Sequence, residues 1–127
     1  MKKALKSPQA PQAIGPYSQA IETSGLVFVS GQIPMDSQGR LVEGAIEAQT
    51  ERCLLNIGEI LKEAGLGLAD VVKTTVYMTD LSQFSAMNEV YARHFKSPYP
   101  ARATVQVLAL PKGVSIEIEA VAAISKL

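Results

Sequence analysis

Three segments of this chain, residues 26–29, 105–108 and 120–124, are apolar on both of their alternating faces. A strand points successive side chains to opposite sides of its sheet, so segments of this kind need cover on both sides. Only two stretches have the period of a helix and could supply that cover. In residues 45–64, Thr50, Leu54, Ile57, Leu61 and Ala64 step by four and three and fall on one face, with Gly65 as a stop. In residues 84–95, Phe84, Met87, Asn88, Tyr91 and Phe95 share a face, and Pro98 and Pro100 end the run. Two helices cover one side of a sheet, so the other side is expected to meet another subunit. The alternative is a sheet curled to bury both faces within one chain.

The remaining elements are strands. Residues 17–23 and 26–30 flank a Ser24-Gly25 turn and read as a hairpin. Residues 71–78 form a β-branched run, and residues 103–108 and 115–124 are divided by a turn at Pro111-Lys112-Gly113. The expected order is strand, strand, helix, strand, helix, strand, strand, an α+β sheet with helices on one face. With 127 residues and 47% hydrophobic content, the chain is expected to be one domain over residues 1–127.

Composition narrows the chemistry. Twelve lysines and arginines balance twelve acids, which offers nothing to a phosphate backbone or an anionic membrane. No apolar run approaches the roughly 20 residues of a spanning helix, and the lysines near the N-terminus precede no signal-like stretch. A cytoplasmic protein is expected. One cysteine, Cys53, and one histidine, His94, exclude an intrachain disulfide and any metal site built from several thiolates or imidazoles. Cys53 reads as a packing residue and His94 as a structural one.

Arg102 follows Pro100-Ala101 at a strand start, where alternation puts it on one face with Thr104 and Gln106. A guanidinium fixed there makes a fork for a carboxylate, or an ordinary surface ion pair. In Ile116-Glu117-Ile118-Glu119-Ala120 both acids share a face, with backbones about 7 Å apart. Such a pair can mark a wet face, yet Val121 and Ala123 continue that face as apolar. A carboxylate at such a boundary is open to a shifted proton affinity. Gly15-Pro16-Tyr17-Ser18 and Ser30-Gly31-Gln32-Ile33-Pro34 are glycine-bearing junctions that a ligand can approach closely, or simply turns. Neither has the spacing of a phosphate loop.

Taken in order, Gly15-Pro16-Tyr17-Ser18-Gln19-Ala20, Ser30-Gly31-Gln32-Ile33-Pro34, Pro100-Ala101-Arg102, Leu110-Pro111-Lys112-Gly113 and the Ile-Glu-Ile-Glu run resemble the RidA/YjgF family of imine/enamine deaminases. The resemblance extends over nearly the whole chain. It implies a chorismate-mutase-like α+β fold, a mixed sheet with two helices on one face, assembled as a homotrimer with sites between subunits. It also implies hydrolysis of 2-iminopropanoate (from 2-aminoacrylate) and 2-iminobutanoate to 2-oxo acids and ammonia, without a cofactor or metal. These imines are products of pyridoxal-phosphate-dependent serine and threonine dehydratases, which implies a metabolic link to those enzymes.

Carried over by position, Arg102 matches the residue that holds the substrate carboxylate, and Glu117 the one that positions or activates water. Tyr17 completes the catalytic set. Ser30, the Gly31 backbone and Asn88 match pocket positions, and Thr104 stands where many relatives have cysteine. The competing readings are a non-catalytic trimeric binder of 2-oxo acids and, with less physical support, an endoribonuclease or translation inhibitor. A chaperone-like role is demanded by no feature of the chain.

Overall fold

The computed structural model describes residues 1–125. Eight regular elements run in the order β1 (Lys3–Leu5), β2 (Ala20–Thr23), β3 (Leu26–Gln32), α1 (Ile46–Leu61), β4 (Val71–Met78), α2 (Phe84–His94), β5 (Ala101–Gln106) and β6 (Ile116–Ala123), with short 3-10 turns between some of them. The strands form one mixed sheet in the order β1-β2-β3-β6-β4-β5. Among the described residues only β4 and β5 pair in parallel, with α2 as their crossover.

Both helices lie on one face, as their periodicities predict. Thr50, Cys53, Leu54, Ile57, Ile60 and Leu61 of α1 are buried against Val27, Val29, Ile116 and Ile118 of the sheet. Met87 and Tyr91 of α2 and the adjoining Phe95 complete that layer. Each large apolar side chain taken fully from water stabilises the fold by about 1.5–3 kcal/mol before entropic losses. Along β6 burial alternates strictly, with Ile116, Ile118, Ala120 and Ala122 inside and Glu117, Glu119, Val121 and Ala123 half-exposed. Phe28 (44% exposed) and Val105 (40%) stay open on the uncovered face.

Several boundaries differ from expectation. The first hairpin strand begins at Ala20 and not at residue 17, because the Tyr17 N–H closes a tight turn onto the Gly15 carbonyl (2.9 Å). Its turn has Ser24 at φ 52° and Gly25 at φ 80°, the left-handed pair that suits a two-residue hairpin. β5 begins at Ala101 and ends at Gln106, so Arg102 lies inside the strand, and Leu108 beyond it is fully exposed. Strand β1 is absent from the sequence reading. Three residues are too few to show a period, and their pairing with β2 is what makes them a strand. Among the described residues no helix is long and apolar enough to cross a membrane.

Candidate active site

The hydrogen-bond ladder between β3 and β6 slips by one residue: Val29 faces Ala120 and Gln32 faces Ile118, which leaves Ser30 and Gly31 opposite the single residue Glu119. This bulge turns the strand locally. The Ser30 hydroxyl donates to the Ser18 carbonyl (2.6 Å), which ties the bulge to the segment that carries Tyr17. The Glu117 carboxyl lies directly over Gly31. A Cβ at that glycine would overlap Glu117 Oε2 and stand 2.9 Å from its Cδ. Only a residue without a side chain leaves the carboxyl room there.

Tyr17, Ser30, Gly31, Glu117, Glu119 and Lys112 are among the residues around one cleft of about 700 Å³. Among the described residues the Glu117 carboxylate accepts no hydrogen bond, whereas Glu119 accepts one from the Tyr77 hydroxyl (3.1 Å). Burial, then the neighbouring Glu119, pushes the Glu117 carboxyl above its ordinary range. Lys112 holds a left-handed backbone (φ 58°), an uncommon conformation for a residue with a side chain.

Arg102, Asn88 and Thr104 form a second cluster. Arg102 Nη1 donates to Asn88 Oδ1 (2.7 Å), and its guanidinium lies 4.7 Å from the Tyr91 ring centre and 5.4 Å from that of Phe84. Stacking of this kind fixes a guanidinium plane and leaves its remaining donors free. The Tyr91 hydroxyl is itself bonded to Thr74 Oγ1 (2.7 Å), so the platform is anchored to β4. Thr104, two residues along from Arg102 on the same face, has a buried hydroxyl with no hydrogen-bond partner among the described residues. An orphaned hydroxyl on the same strand face as a guanidinium with donors to spare is suited to an acidic ligand.

The two clusters lie apart within the chain. Arg102 pairs with Thr74 across β5 and β4, and Glu117 pairs with Tyr77 across β6 and β4. Residues 74 and 77 of one strand point to opposite faces. The structure therefore joins Tyr17, Ser30, Gly31 and Glu117 on the open face, joins Arg102, Asn88 and Thr104 on the helical side, and does not bring the two sets together.

Sequence reading missed several supports. Gln19 is buried; its Oε1 accepts from the Ser7 N–H (2.6 Å) and its Nε2 donates to the carbonyls of Ser7 (3.2 Å) and Pro11 (2.7 Å), holding one wall of the cleft. Buried Asn56 donates to the carbonyls of Ile33 and Met35 and holds another. Gln19 stands in the Gly15–Ala20 segment without a role of its own there, and Asn56, an amide on the apolar face of α1, was a visible signal. His94 reaches Glu51 of α1 (2.6 Å) and does not line the cleft; Cys53 is wholly buried. Among the described residues no group of three or more His, Cys, Asp or Glu side chains could hold a metal ion.

These features define a small α+β protein with a carboxylate cleft on its open sheet face and a stacked arginine on its helical side. The profile of the family described as Endoribonuclease L-PSP matches residues 7–124, and the chain belongs to that family, the RidA/YjgF family. The 2-iminobutanoate/2-iminopropanoate deaminase of Homo sapiens is 50% identical over 123 residues, covering 96% of this chain and 90% of the human protein. A RutC family protein of Pyrococcus abyssi is 52% identical over 122 residues, covering 95% and 96%. Among solved structures, RidA from Psychrobacter has a TM-score of 0.92 at 46% identity, covering 96% of this chain and 99% of its own. E. coli TdcF with bound serine has a TM-score of 0.91 at 41% identity, covering 97% and 99%.

Proposed function

We propose that this protein is a 2-iminobutanoate/2-iminopropanoate deaminase that works as a homotrimer, each site formed between two copies of the single domain 1–127. The observation that carries this reading is the division of the site. A stacked arginine with an orphaned hydroxyl beside it, and a carboxyl of raised proton affinity without a hydrogen bond, stand on opposite sides of one sheet. A second copy, set with its β5 edge against the open cleft, supplies the missing half. The cleft of about 700 Å³ leaves room for that edge as well as a three- or four-carbon acid.

In the assembled site the Arg102 fork holds the substrate carboxylate, with Asn88 fixing its orientation and the Thr104 hydroxyl donating beside it. Water adds to the protonated imine carbon while Glu117 of the neighbouring copy takes its proton. Transfer of that proton to nitrogen makes ammonia the leaving group, and as the C–N bond breaks the hydroxyl gives its proton back to Glu117 and then to the departing ammonia, so protonated imino acid and water become 2-oxo acid and ammonium. Tyr17 completes the hydrogen-bonding around the reacting centre, and Ser30 and Gly31 line it. An imine conjugated to a carboxylate is already electrophilic, so a proton carrier and orientation suffice; acid-base assistance contributes about 10²- to 10⁴-fold.

The substrates are the unstable products of pyridoxal-phosphate-dependent serine and threonine dehydratases. The test couples a threonine dehydratase to the protein and monitors 2-oxobutanoate, with semicarbazide competing for the imine. Faster 2-oxobutanoate release and less trapped imine are expected. Unchanged rates would overturn the enzyme reading, and thermal protection by 2-oxobutanoate in that case would identify a binder. Serine bound in TdcF favours that second reading.

A further inference from the structure

Glu119 lies two residues from Glu117 on the same sheet face, and its carboxylate is held by the Tyr77 hydroxyl of the adjacent strand (3.1 Å). Tyr77 itself pairs with Glu117 in the ladder. The three side chains thus form a patch in which one acid has a donor and the other has none. We infer that Tyr77 and Glu119 are a positioning pair for Glu117: the phenol tethers one carboxylate beside the cleft, so that Glu117 alone is left to exchange a proton with water or ligand. The inference rests on the proposed role of Glu117.

Physical chemistry supports the division of labour. Two carboxylates on one strand face repel when both are ionised, and a hydrogen-bond donor fixes the position of the one it reaches. The Tyr77 phenol holds the Glu119 carboxylate in place beside Glu117, and the charge of Glu119 opposes ionisation of Glu117. The shifts run the same way: Glu117 is raised by burial and by Glu119, and Tyr77 is raised by burial and by its bond to Glu119. The other titratable groups facing Glu117 are Lys112 and Tyr17 around the cleft and, from α1 behind the sheet, the buried Cys53, whose own ionisation Glu117 opposes.

The test is a carbon-13 NMR titration of the glutamate carboxyls, with the Glu117 resonance assigned by its loss in Glu117→Gln, alongside the pH profile of kcat/KM with the dehydratase in excess. Glu119→Gln is expected to lower the Glu117 midpoint by about half a pH unit or more and to move the acidic limb of the profile with it. Tyr77→Phe should move both part of the way. Midpoints equal to wild type in both variants would overturn the pair. Full activity in Glu117→Gln would instead overturn the role of Glu117 itself, so the two failures are separable.

Discussion

Arg102 and Glu117 are bound to the same strand, β4, through partners three residues apart, and so project from opposite faces of one sheet. No side-chain rotation brings them together across that sheet, and any chemistry that uses both needs two copies of the chain.

Mixing inactive variants tests this arrangement. Arg102→Ala and Glu117→Gln are each expected to lose imine hydrolysis when alone. Unfolded and refolded together at equal amounts, they should regain about a quarter of wild-type activity, the fraction of shared clefts that receive both intact residues in a cyclic assembly. Activity that stays at the level of the separate variants would place the two residues in different sites.

Arg102→Lys keeps the charge and loses both the two-donor fork and the stacking on Tyr91 and Phe84. A fall in kcat/KM of about 10²-fold or more is expected, with thermal stability close to wild type. Steady-state kinetics beside a melting curve would check it, and near-normal turnover would reject the fork.

Gly31→Ala pits a new methyl group against the far end of a flexible side chain, not against backbone. The fold should persist while the Glu117 carboxyl is displaced. A drop in activity of about 10- to 10²-fold, with the melting temperature changed by only a few degrees, is the expected outcome. An equal loss of both would mean the glycine serves the fold.

The Glu117 carboxyl is raised in the folded protein, so the native state binds its proton more tightly than the unfolded chain does. Stability associated with that proton is present below the ordinary glutamate range and is lost as pH rises through the raised value. Glu117→Gln removes the penalty, and should melt slightly above wild type at neutral pH, by on the order of 1–3 °C after allowing for solvent screening. The difference should shrink in acid, and a gap that is constant with pH would contradict it.

Cys53 is fully buried and its thiol is pushed well above the usual range by desolvation and by Glu117. Iodoacetamide at mildly alkaline pH should leave the folded protein unmodified and active, and label it only in denaturant. Mass spectrometry reads this directly.

The elements with a long period were legible in the residues themselves. Residues 71–78 form the strand their β-branching implies, and the helical faces of Leu54 and Ile57, and of Met87 and Tyr91, are the buried ones. The alternation of Glu117 and Glu119 against Ile116 and Ile118 holds residue by residue. The relation between the acids and Arg102 was not legible, because facing depends on which strands pair and in what register. Nor was the Gln19 clamp, in which one side chain reaches back to main chain at residues 7 and 11. Such contacts join points with no local pattern between them.

The slipped step at Ser30-Gly31 has a consequence in the arithmetic of the strand. Side chains in a strand count odd and even, and one surplus residue changes the parity of everything after it. Val29 and Gln32 differ by an odd number, yet both point into the helical layer. Forcing the segment into a regular ladder at its full length would reverse Gln32 and the residues beyond it, tearing Ile33 and Met35 from Asn56, whereas deleting one residue of the step would keep their facing and remove the bulge itself. The cleft thus depends on the chain being one residue out of step with its neighbour, and a perfectly regular β3 would have no place for it.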